Sequence, residues 1–167
     1  MAASDPLPTS LSLDAARDTV LVFGIGNTLR GDDGLGPLVA ERLADTFTTG
    51  TMTVTPCHQL TFDFAQPISH SQCVILVDAA VGGVPGTIAC KRVAPQGDLP
   101  HTMLHHMEPE ALLASTQALY GSVPPTFLWT VVGEQFDFGE TLSPVVEGAI
   151  PELIERLTAF IEDCFAD

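Results

Sequence analysis

Positive charge is scarce in this sequence. Of 167 residues only six are Lys or Arg, against 21 Asp and Glu, which gives a formal net charge of −15 at pH 7. Lys91 is the single lysine. A nucleic-acid partner has to be met with Lys and Arg on its phosphates, so that class is excluded. The imbalance favours instead a cation or a basic partner. Long apolar runs are missing too: none reaches the ~18 residues of a membrane-spanning helix, so no membrane role is expected. The four cysteines, Cys57, Cys73, Cys90 and Cys164, share no C-x-x-C spacing and lie mostly in strand-like runs. They read as reduced, buried thiols of a cytoplasmic protein. Residues 1–18 have neither a basic start nor an apolar block, and so read as a loose tail rather than a signal peptide. Residues 19–167 then form a single domain, with 46% hydrophobic residues to fill its core. No G-x-S-x-G elbow and no H-E-x-x-H helix is present.

What the chain does have is a glycine-rich stretch with two adjacent acids, Gly24-Ile25-Gly26-Asn27-Thr28-Leu29-Arg30-Gly31-Asp32-Asp33-Gly34-Leu35-Gly36-Pro37. It follows Thr19-Val20-Leu21-Val22-Phe23, apolar enough for a strand buried on both faces. After it, Leu35, Leu38, Val39, Leu43 and Phe47 recur at helical spacing, with Pro37 in the first turn. A loop between strand and helix at this end of an α/β sheet is where ligands bind. A dinucleotide fingerprint fails, because the third glycine, Gly31, comes two places late and no acidic residue closes the next strand. A plainer alternative is that both aspartates merely start the helix.

The remaining elements alternate. Thr51–Pro56 reads as a strand, and 61–68 as a short helix or turn. The apolar run Cys73-Val74-Ile75-Leu76-Val77 is a buried strand ending at Asp78, and Thr87–Val93 is a more polar, edge-like strand. Glu108-Pro109 opens a helix that stops at Gly121, and Phe127–Val132 is a fifth strand. Ser143-Pro144 starts a last helix, whose stripe of Val146, Ile150, Leu153, Ile154, Leu157 and Ile161 is interrupted by a kinking Pro151. This alternation indicates a three-layer α/β/α sandwich around a mostly parallel sheet.

Chemistry concentrates near the strand ends: Asp32 and Asp33 after the first strand, Asp78 after the third, and His105 and His106 before the helix that leads to the fifth. Two carboxylates and an imidazole suit a divalent metal such as Ni²⁺, Zn²⁺ or Fe²⁺. His58 and Gln59 are weaker candidates to border the same crevice from strand 2, a capping or surface role for His58 being an equal alternative, whereas His70 and His101 read as loop residues. A cysteine peptidase is disfavoured, because Cys57 and His58 point to opposite faces of their strand. A phosphoacceptor receiver domain, the non-catalytic alternative, needs acids directly after strand 1 and a lysine after strand 5. Here strand 5 runs into Gly133-Glu134.

The ordered series Gly24-x-Gly26-Asn27-x-Leu29-x-x-Asp32-Asp33-Gly34-x-Gly36, Asp78, His105-x-Met107-x-Pro109 and Gly139-x-x-Leu142-Ser143-Pro144 resembles the hydrogenase maturation protease family. The resemblance runs from about Val20 to Phe160. It implies an endopeptidase that removes the C-terminal extension of a [NiFe] hydrogenase large-subunit precursor after nickel insertion. It implies Asp33, Asp78 and His105 as the catalytic and metal-contacting residues, with nickel carried by the precursor and Zn or Cd able to occupy the site. A monomer is the default for one domain with one cleft. The implied sheet has five strands in the order 2-1-3-5-4, with strand 4 antiparallel. Cys57-His58-Gln59-Leu60-Thr61 departs from the Asp-Gly-Gly-Thr of many members.

Overall fold

A computed structural model describes residues 19–47, 50–97 and 107–166. Its sheet has the expected order β2-β1-β3-β5-β4. In the centre, β1 (Val20–Ile25) lies parallel between β2 (Met52–Cys57) and β3 (Cys73–Ala80). On the far side of β3, β5 (Thr126–Val132) is also parallel, and β4 (Ile88–Val93) closes the edge antiparallel to it. Every residue of β1 is buried, which its unbroken apolar run requires of a strand covered on both faces.

The side-chain period of two divides the core into layers. Val20, Val22, Cys73, Ile75 and Val77 pack with α1 (Leu35–Thr46) and the long C-terminal α4 (Pro144–Ala166). Leu21, Phe23, Ile25, Val74 and Leu76 face the other way, onto α2 (Ala65–Ser69) and α3 (Pro109–Tyr120). Asp78 shares the parity of Val74 and Leu76, so it belongs to the α2/α3 face. α3 ends as expected at Gly121, whose φ of 80° suits a residue without a Cβ. α4 continues through Pro151 as one helix.

Strand β3 is longer than expected. It does not stop at Asp78 but pairs with β5 as far as Ala80↔Val132, while its pairing with β1 ends at Gly24↔Val77. The sheet therefore opens between β1 and β3 just where Asp78 begins, at the point where the chain's winding changes direction. The glycines hold the first helix against this opening. A Cβ on Gly36 would lie 2.1 Å from the Ile25 carbonyl oxygen, and one on Gly26, at φ +146°, would lie 1.8 Å from that of Asp33. Only glycine allows α1 to start so close to β1.

Candidate active site

The two adjacent aspartates separate completely. Asp32 and Asp33 lie on a 3₁₀ turn, Gly31–Gly34, that leads into α1. Asp32 turns inward and is fully buried. Its Oδ1 accepts the Ser143 N–H at 2.7 Å. Its Oδ2 accepts the N–H groups of Glu134 and Gln135 at 2.8 and 2.9 Å and the Ser143 hydroxyl at 2.8 Å. Burial pushes this carboxyl up, but the hydrogen bonds from Gln135, Ser143 and Glu134 more than reverse it, leaving Asp32 below its ordinary value. Backbone bonds from Gly31 N–H to the Gly139 carbonyl and from Gly139 N–H to the Leu29 carbonyl, both 2.9 Å, complete the seam. Asp32 thus ties the glycine-rich loop to the segment between β5 and α4.

Asp33 turns the other way, into a crevice of about 160 Å³. Its Oδ2 accepts the Asn27 N–H at 2.8 Å, so the loop that delivers the carboxylate also aims it. Asp78 lines the same crevice, together with Ile25, Gly26 and Leu60. Its Oδ1 accepts the Ala79 N–H at 2.8 Å. Burial pushes Asp78 up, the Ala79 N–H draws it back, and the charges of Asp33 and Glu108 add to the rise, to about 7. Near neutral pH this carboxyl therefore exchanges its proton readily, as a general base or a ligand for an incoming cation needs to.

His58 and Gln59 line the crevice from the end of β2, and Met107, Glu108 and Pro109 line it from the start of α3. Glu108 was not among the expected residues. Its signal in the sequence is an acid directly before Pro109, at a helix start that faces the strand ends. Cys57 is pushed up to about 11 by burial and by the Asp78 charge, so its thiol is a poor nucleophile at neutral pH. His70 lies elsewhere, at the end of α2, with its ring against the Gln66 carbonyl and the Ser69 hydroxyl. His101, His105 and His106 lie outside the described residues. Among the described residues, no group of three or more His, Cys, Asp or Glu is arranged to hold a metal ion. A receiver-type site would need Asp32 free for Mg²⁺, and here four hydrogen bonds occupy it.

No protein-family model matches the chain. It is 30% identical, over an aligned length of 165, to the hydrogenase expression/formation protein HupD of Rhodobacter capsulatus, covering 86% of this chain and 73% of that protein. Its fold matches the [NiFe] hydrogenase maturation protease HycI of Thermococcus kodakarensis KOD1 with a TM-score of 0.68 at 23% identity, covering 90% of this chain and 94% of that one. It also matches the hydrogenase maturating endopeptidase HybD of E. coli with a TM-score of 0.66 at 22% identity, covering 87% and 93%. No helix of the described residues is long and apolar enough to cross a membrane.

Proposed function

The chain belongs to the hydrogenase maturation protease family, and from that premise we propose that it removes the C-terminal extension of a [NiFe] hydrogenase large-subunit precursor once nickel is in place. The observation that carries this reading is the pair of carboxylates, Asp33 and Asp78, lining one crevice at the opening between β1 and β3. Each is held through one oxygen by a backbone N–H. Its direction is thereby fixed, while it can still contribute to a cation.

Nickel enters as part of the substrate, held by the precursor near the scissile bond. Asp33, Asp78 and His105 are proposed to contact it and so dock that bond in the crevice. The cation would polarise the scissile carbonyl or acidify a water beside it. Asp78 is the better candidate for general base. Burial, with a smaller contribution from the charges of Asp33 and Glu108, holds its proton affinity near neutrality, and an arriving cation favours the carboxylate form. Asp33, on the rigid glycine-rich turn, is the positioning ligand. A crevice this acidic favours a metal-bearing precursor over an empty one.

The test is incubation with nickel-loaded and nickel-free precursor, followed by mass. Loss of the extension from the loaded form alone is expected. Equal processing of both forms would remove nickel from the recognition step, and processing of neither would overturn the reading.

A further inference from the structure

The three most exposed large apolar side chains among the described residues, Phe138, Val81 and Val84, lie at one end of the sheet. Leu119, Tyr120 and Phe165 stand at the far ends of α3 and α4. At the end that carries the crevice, by contrast, Phe138 is 86% exposed, Val81 83% and Val84 74%, and Leu29 is exposed beside them. These residues sit on loops that the fold joins together. The Gly139 N–H bonds the Leu29 carbonyl at 2.9 Å, which sets Phe138 next to the glycine-rich loop. The Gly133 N–H bonds the Ala80 carbonyl at 2.8 Å and the Gly86 N–H the Val132 carbonyl at 2.8 Å, which ties the turn bearing Val81 and Val84 to the end of β5, where the segment bearing Phe138 begins.

The segment bearing Phe138 also carries Glu134, Asp137 and Glu140, all exposed. Arg30 is the basic residue beside them, bridged to Gly139. The ion pairs among the described residues, Lys91–Glu110 and Arg156–Glu152, lie elsewhere. The loops at this end thus present exposed apolar side chains, and the segment bearing Phe138 adds three exposed acids.

The size of the crevice indicates what covers this rim. At about 160 Å³ it has the scale of a benzene-sized cavity, too small for more than a short piece of an extended segment. A folded protein that places its scissile segment there must rest its body on the surrounding loops.

We propose that Phe138, Val81, Val84 and Leu29 form the seat for the folded body of the precursor, and that the precursor meets them with an apolar patch flanked by Lys or Arg. This rests on the processing reaction proposed above. The apolar side chains supply contact area and the acids beside Phe138 steer the encounter.

The test compares wild type with Phe138→Ser, with the double variant Val81→Ser/Val84→Ser, and with Leu119→Ser as a control at the opposite end. Both KM and kcat for nickel-loaded precursor and direct binding of the precursor by calorimetry are measured. The rim variants should raise KM and Kd about tenfold with kcat unchanged, as loss of one buried apolar anchor implies, and Leu119→Ser should match wild type. Glu134→Gln/Asp137→Asn/Glu140→Gln should weaken binding at low salt and flatten its salt dependence. Wild-type cleavage with binding indifferent to Phe138, Val81 and Val84 would overturn the seat and leave the processing reading intact. Binding that depends on the rim without any cleavage would support the seat and overturn the processing reading.

Discussion

Replacing Asp32 by Asn keeps the shape of the side chain and removes one acceptor from a buried hub. Turned with its oxygen toward Glu134 and Gln135, the amide presents its NH₂ to the Ser143 N–H, which now donates to Oδ1 at 2.7 Å. Turned the other way, it opposes both the Glu134 and Gln135 N–H groups. The better orientation loses one hydrogen bond to a charged acceptor, worth about 1.5–3 kcal/mol, and leaves a buried N–H unpaired at ~1–3 kcal/mol. Asp32→Asn should therefore lower stability by roughly 3–5 kcal/mol, a large share of the ~5–15 kcal/mol typical of a folded domain. Urea unfolding at pH 7, read from the midpoint at unchanged slope, measures it. Asp33→Asn is the internal control. That carboxylate is half-buried and takes one backbone N–H, so its loss should be about 1 kcal/mol. The lowered value of Asp32 has a sign of its own. Its stabilisation is complete above the ordinary carboxylate range and is lost as pH falls through the folded-state value. An Asp32→Asn protein as stable as Asp33→Asn would refute the hub.

The remaining expectations concern the crevice and the helix that backs it. Asp78 keeps its proton up to about 7 in the folded protein but only to 3.8 as an ordinary carboxyl, so its contribution is full below about pH 4 and is lost as pH rises through 7, up to ~4 kcal/mol in all. Asp78→Asn should remove that slope from stability measured between pH 4 and 8, and an unchanged slope would contradict the assignment. Titration calorimetry with Ni²⁺, Zn²⁺ or Cd²⁺ should show weak binding that Asp33→Asn abolishes, and absence of heat would contradict direct metal contact. His105→Ala should lose metal binding and cleavage while His106→Ala keeps both, because Met107 and Pro109 align with the family pattern only if His105 is the ligand; the reverse result would shift that register by one residue. Gly36→Ala places a Cβ 2.1 Å from the Ile25 carbonyl oxygen and should destabilise by about 3 kcal/mol or more in thermal unfolding; an unchanged midpoint would contradict the close packing of α1 on β1.

The strands were legible because burial on both faces demands unbroken apolar runs, and Val20–Phe23 and Cys73–Val77 meet that demand. Their lateral order was not, since periodicity says which face a residue takes but not which strand lies beside it; the order came from the family resemblance and agrees with the observed pairing. The end of β3 was misjudged because Ala79 and Ala80 carry little strand preference and a glycine-rich turn follows. They pair with β5 nonetheless, held by Val131 and Val132. In the site, Asp33 and Asp78 stood out from their places at strand ends, His58 and Gln59 read equally well as surface residues, and all four line the crevice. The different fates of Asp32 and Asp33 were hidden, because they depend on donors more than 100 residues away, at Glu134, Gln135 and Ser143. The family pattern held both halves of that contact, Asp32 and Leu142-Ser143-Pro144, without showing that they touch.

The central claim is that Asp33 and Asp78 act together on a nickel-bearing precursor, and single-turnover processing tests it most directly. Wild type, Asp33→Asn and Asp78→Asn, each shown to be folded, are mixed in excess with nickel-loaded precursor, and the mass of the large subunit is followed. Wild type should shed the extension completely while both variants leave it in place over the same interval. Processing at the wild-type rate by either variant would contradict the account.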